Sequence, residues 1–192
     1  MRLMWKLSCA CLAAVLAASM PAGATTLVRA GLGDLAAANE TVVVGTVLDV
    51  RSYWNDERTF ILTDVRIAPS QVVKGRALGA ETIVTLMGGT VDGVTTLIVG
   101  GAHLQPGRSY LLFLNHEDLP GAAGVLTVRD HCQGAFDLKG GGSRTLAVSQ
   151  AAAHPLRPDA RGNAVAPGGS EGLPLAAALE QVRQAAGREV AP

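Results

Sequence analysis

From Thr41 onward, apolar residues recur at every second position, the spacing of a strand that buries one face. Val42, Val44, Leu48 and Val50 fall on one side with Thr46, and Val43, Gly45, Val47, Asp49 and Arg51 on the other. The pattern predicts a long strand over Thr41–Trp54, with one buried face and a second that turns polar halfway. Gly45 stands where such a strand can coil from one sheet to another. Asn55-Asp56-Glu57 predicts a polar turn, and residues 58–68 a returning arm in which Ile61, Val65 and Ile67 alternate with Leu62, Asp64 and Arg66.

Before this hairpin, Leu32, Leu35 and Ala36 have helical spacing and predict a short helix over 33–38. After it, Pro69-Ser70 and Lys74-Gly75 interrupt the pattern, and Thr82–Met87 resumes it. Asp92-Gly93 between Val91 and Val94 is a hairpin signal, with residues 94–99 as the returning arm. Pro106-Gly107 precedes Tyr110-Leu111-Leu112-Phe113-Leu114, apolar on both faces and therefore a covered central strand. Residues 125–129, 135–138 and 144–148 read as the last strands, with a glycine turn at 140–142.

Even strand spacing with almost no internal helix predicts a mainly β fold. The length of the strand at Thr41–Trp54 favours a small antiparallel barrel over a sandwich. The barrel domain is expected over 25–150. Residues 151–172, with His154-Pro155, Arg157-Pro158 and Pro167-Gly168-Gly169, read as a flexible linker. Residues 173–187 read as a C-terminal helix with Leu175, Leu179 and Val182 as its stripe.

Composition changes the picture at the front of the chain. Arg2 and Lys6 precede an uncharged run from Leu7 to Met20, then Pro21 and Ala22-Gly23-Ala24, the pattern of a cleavable signal peptide over 1–24. The mature chain is expected to begin at Thr25 and to be exported to the periplasm or the exterior, without stable membrane insertion. Cleavage removes two of the three cysteines, so no internal disulfide is expected. It leaves 14 basic against 16 acidic residues, scattered without runs. That balance gives no electrostatic footprint for nucleic acid or anionic lipid.

Candidate chemistry is thin. His103, His116, His131 and His154 have no spacing used by metal sites, so no metal and no cofactor is expected. His131 and Cys132 are neighbours, and strand neighbours point to opposite faces. Cys132 is the one thiol of the mature chain and its candidate reactive atom, with no visible base or oxyanion hole around it. No nucleophile elbow and no phosphate loop is present. The surface candidates are the expected N-terminal residue Thr25 and the cluster Tyr53, Trp54, Asn55, Asp56 and Arg58, aromatic, polar and charged residues at a hairpin tip. Trp54 is either a binding anchor or a lid under the turn.

The order of these features resembles a group of exported bacterial proteins. A short helix enters Val42-Val43-Val44-Gly45-Thr46-Val47, and Trp54 precedes a polar turn. Val72-Val73-Lys74-Gly75 and Met87-Gly88-Gly89 bracket a strand, and Pro106-Gly107 precedes 110–114. Their layout is similar to the OB-fold of netrin-like domains and tissue inhibitors of metalloproteinases. The resemblance covers about residues 27–148. It implies a non-enzymatic binding module with a protein partner, a secreted zinc protease first among them. Those inhibitors cap the protease zinc with an N-terminal cysteine; this chain would present Thr25, so no inhibitory residue carries over. Two other readings stay open: a hydrolase using Cys132 or a carboxylate such as Asp130, and a cell-envelope structural protein docked by its C-terminal helix.

Overall fold

The computed structural model describes residues 27–189; the leader read over 1–24, and Thr25 with it, lie outside them. The described chain is mainly β. In order it carries β1 (Leu27–Val28), α1 (Leu32–Ala38), β2 (Thr41–Trp54), β3 (Ile61–Lys74), β4 (Thr82–Met87), β5 (Gly89–Val91), β6 (Val94–Thr96) and β7 (Ser109–Leu119). There follow β8 (Ala122–Val128), β9 (Ala135–Lys139), β10 (Leu146–Ser149), β11 (Leu156–Arg157), β12 (Leu173–Pro174) and α2 (Leu175–Glu189).

One large sheet runs β12-β10-β9-β7-β2-β3-β4, with β8 paired to β7, and its neighbours are antiparallel throughout. Strands β4 and β8 approach within 8 Å at their Cα atoms, yet no ladder joins them. The expected closed barrel is therefore corrected to an open sheet. Ile98 and Ala102 line a small cavity beside this unpaired edge, together with Leu86 and Met87 of β4 and Thr127 and Val128 of β8.

The middle of the sheet is covered on both sides. Val42, Val44, Leu111 and Phe113 pack with Phe136, α1 and α2 in one core. Val43, Val47, Tyr110 and Leu112 pack with Val65, Ile67 and Val84 in the other. Leu32, Leu35 and Ala36 are buried as the helical spacing required, and Asp34 accepts the Gly31 N–H at 3.0 Å at the head of α1.

The single-face reading of β2 needs correction. The ladder to β3 shifts register between Val47 and Asp49. A bulge reverses the side-chain alternation, so Val50 joins the core of Val43 and Val47 while Leu48 is left 41% exposed. A second shift falls at Gly45, where a Cβ would stand 3.1 Å from the Ala68 carbonyl oxygen. Strand β3 continues through Pro69, opposite Gly45, and the Ser70 hydroxyl donates to the Val44 carbonyl at 3.1 Å.

The C-terminal helix is present and docked. Ala178, Leu179 and Val182 are buried against α1 and the sheet. Residues 151–172, expected as a linker, carry β11, which pairs in parallel with β1. Arg29 meets Asp159 at 2.7 Å, and Asp159 also accepts the backbone N–H groups of Asn163 and Arg161, each at 2.9 Å. The N–H of Asn163 foremost, then that of Arg161 and the Arg29 guanidinium, hold the Asp159 carboxyl down from 3.8 to about 2 despite desolvation. A carboxyl depressed in the folded chain contributes stability above its unfolded pKa, and the contribution fades as pH falls through the folded one. The Arg161 and Asn163 amide resonances are thus expected to hold their folded positions at about pH 4 and to move as the acid approaches pH 2.

Candidate functional site

Two features meet at one end of the sheet. The first is the tip between β2 and β3, organised by Asn55, which the sequence offered as a surface candidate and the fold buries. Its Oδ1 accepts the N–H groups of Thr59 at 2.8 Å and Phe60 at 3.0 Å, and its Nδ2 donates to the Thr59 hydroxyl at 3.1 Å and the Pro120 carbonyl at 3.4 Å. The last bond ties the tip to the turn between β7 and β8, where Gly121 (φ +78°) lies so close to Asn55 that a Cβ would not fit.

The sequence candidates sit on this frame. Tyr53 is half-buried and its hydroxyl donates to Asp64 at 3.1 Å, alongside the Thr85 hydroxyl at 2.8 Å. Burial first, then the Asp64 charge, pushes the Tyr53 phenol pKa up. Trp54 is half-buried opposite Ile61, between the anchor and the lid expected of it. Asp56 and Arg58 are exposed, Arg58 in a left-handed conformation (φ 53°).

The second feature is the hairpin β5–β6 and the loop after it. Asp92 (φ 50°) and Gly93 (φ 78°) both take left-handed backbone, the turn their dipeptide favours. The returning arm ends at Thr96 rather than at Val99. Gly88 donates its N–H to the Ile61 carbonyl at 2.9 Å and lies against the Thr96 carbonyl, which joins the hairpin base to the tip. Leu97 is 78% exposed and Val99 71%, with Val94 exposed beside them. Their backbone is pinned nonetheless: Gly101 donates to the Ile98 carbonyl at 3.0 Å, Cys132 to the Gly100 carbonyl at 2.8 Å, and the Leu27 side chain packs on Gly100. Sequence reading missed these residues by extending the strand. The signal was there: Leu97-Ile98-Val99 runs straight into Gly100-Gly101, which a paired strand would not tolerate well.

Cys132 is elsewhere in kind. His131 and Cys132 lie in a 3₁₀ turn (His131–Gly134), not on a strand, with Asp130 (φ 59°) and His131 (φ 55°) in left-handed backbone. The thiol is buried with Ala151, Ala166, Leu27 and Leu156. Burial pushes its pKa up, only partly offset by a backbone hydrogen bond. Burial of this kind disfavours the thiolate form. Next to it Gln133 accepts the Ala30 N–H at 2.8 Å and donates to the Val28 carbonyl at 2.9 Å, fastening the N-terminal strand.

Among the described residues no three His, Cys, Asp or Glu side chains gather as a metal site, and no helix is long and apolar enough to cross a membrane. No family model matches the chain, and no curated protein matches it.

Proposed function

We propose that this chain is an exported, non-enzymatic binding module that engages a protein partner through the sheet end formed by the 53–60 tip and the Leu97–Val99 loop. The observation that carries the reading is the pair Leu97 and Val99, large apolar side chains held out to solvent on a backbone fastened at Ile98, Gly100 and Gly101. Exposed apolar groups on a rigid support bind without a large ordering cost. The tip adds the residue types that dominate interface energetics, Trp54, Tyr53 and Arg58.

On this reading the sheet is an OB-like frame left unclosed. A secreted zinc protease is the first partner class to test. The thiol version of the hydrolase alternative is disfavoured by the burial of Cys132. The envelope-docking alternative is disfavoured because the apolar stripe of α2 is already spent against α1.

The test is affinity capture from periplasm and culture supernatant, with the exported chain and its Leu97→Asp/Val99→Asp variant as baits and zinc peptidases assayed in each eluate. The variant is expected to fold with a stability change within about 0.5 kcal/mol, because both sites are exposed, and to lose the partner. A partner retained equally by both baits would overturn the assignment of this end. Peptidase activity that neither binds nor changes would remove the protease version.

A further inference from the structure

A cavity on the other flank of the sheet is furnished differently, and its chemistry is separate from the partner-binding end. Tyr110, Asp137 and Val148 stand opposite one another across the ladders of β7, β9 and β10. Alternation puts Lys139 on the same face as Asp137. Arg108 and Gln150 border the same space just outside the strand ends. An open cleft of about 410 Å³ lies between this face and the segments around His103 and His154. That size falls in the range of small-molecule sites.

The walls are fixed. The His103 N–H donates to Gln150 Oε1 at 2.8 Å while Gln150 Nε2 donates back to the His103 carbonyl at 2.7 Å. Gln105 Nε2 meets the His103 ring at 2.8 Å. What remains unused is a set of donors. Among the described residues neither Arg108 nor Lys139 has an ion-pair partner; Arg108 reaches only the neutral Gln105 Oε1 at 3.1 Å. Tyr110 is 1% exposed, and its hydroxyl accepts the Gln105 N–H at 3.0 Å while its own proton has no acceptor among the described residues. Buried donors are normally satisfied, so the free Tyr110 proton points to an acceptor supplied from outside. The one lining carboxylate, Asp137, already takes Gln150 Nε2 at 3.4 Å and is outnumbered by two exposed cations, Arg108 and Lys139. Val148, Ala152 and Cys132 supply apolar wall.

We propose that this cavity binds a small organic carboxylate, its anionic oxygens facing Arg108, Lys139 and the Tyr110 hydroxyl and its compact apolar body lying against Val148 and Ala152. The test is a titration of the exported chain followed by amide resonances, with benzoate as probe, benzyl alcohol as the same body without the charge, and inorganic phosphate as an anion without the body. Benzoate is expected to shift the Tyr110, Asp137 and Gln150–Ala153 amides saturably, with Kd of about 1 mM or tighter. Benzyl alcohol and phosphate are each expected to bind at least about tenfold more weakly. The Arg108→Gln/Lys139→Gln variant, altered only at exposed side chains, is expected to weaken benzoate at least about tenfold, and Tyr110→Phe about threefold to tenfold. No saturable shift with benzoate, equal binding of benzyl alcohol or of phosphate, or an unchanged Kd in the double variant would overturn the proposal.

Discussion

Phe113→Ala is expected to lower the unfolding free energy by about 4 kcal/mol, the largest single-site effect in the molecule. Phe113 is fully buried at the middle of β7, between β2 and the helices. Its ring lies 5.8 Å from that of Phe136, tilted by 51°, so truncation removes both apolar burial and an aromatic pair. The backbone around it is held by ladders to β2 on one side and to β8 and β9 nearby, which limits collapse into the space left behind. Most of a domain's margin of about 5–15 kcal/mol rests on such positions. Chemical denaturation should show a lower midpoint with an unchanged slope; a loss under about 1 kcal/mol would mean the two-faced packing of β7 is misdescribed.

The second large effect is expected at Asn55→Ala, about 2–4 kcal/mol. Alanine would leave the Thr59 and Phe60 N–H groups without the oxygen they now share and would release the Pro120 carbonyl. The loss differs in kind from that at Phe113, because it loosens one end of the sheet. Hydrogen exchange of the variant should accelerate at residues 55–60 and at the turn after Leu119, while the ladder between β9 and β10 keeps its protection. Uniform acceleration through the whole sheet would contradict the local role assigned to Asn55.

Most of the β elements were legible because their signals are local. Alternation found β2, β4 and the buried run of β7, Asp92-Gly93 found its hairpin, and Leu32, Leu35 and Ala36 found α1. What escaped depends on pairing between distant strands. The bulge after Val47 cannot be read from β2 alone, because it exists only in register with Arg66 and Ile67. The absence of a ladder between β4 and β8 is likewise a relation between distant strands, with nothing in either to announce it. Residues 151–172 look unable to pack, yet they gain order from Arg29 and β1, more than a hundred positions away. The candidate site follows the same division. Tyr53, Trp54, Asn55, Asp56 and Arg58 were visible as residue types at a tip, whereas the burial of Asn55 that holds the tip, and Leu97 and Val99, which complete the end, required the fold.

The measurement that reaches the central claim most directly uses Trp54, the sole tryptophan of residues 25–192. Acrylamide quenching of its emission should be compared for the exported chain alone and in complex with the captured partner. Shielding of Trp54 in the complex, lost together with the complex in Leu97→Asp/Val99→Asp, is the predicted result. A stable complex in which Trp54 is quenched as readily as in the free chain would contradict it.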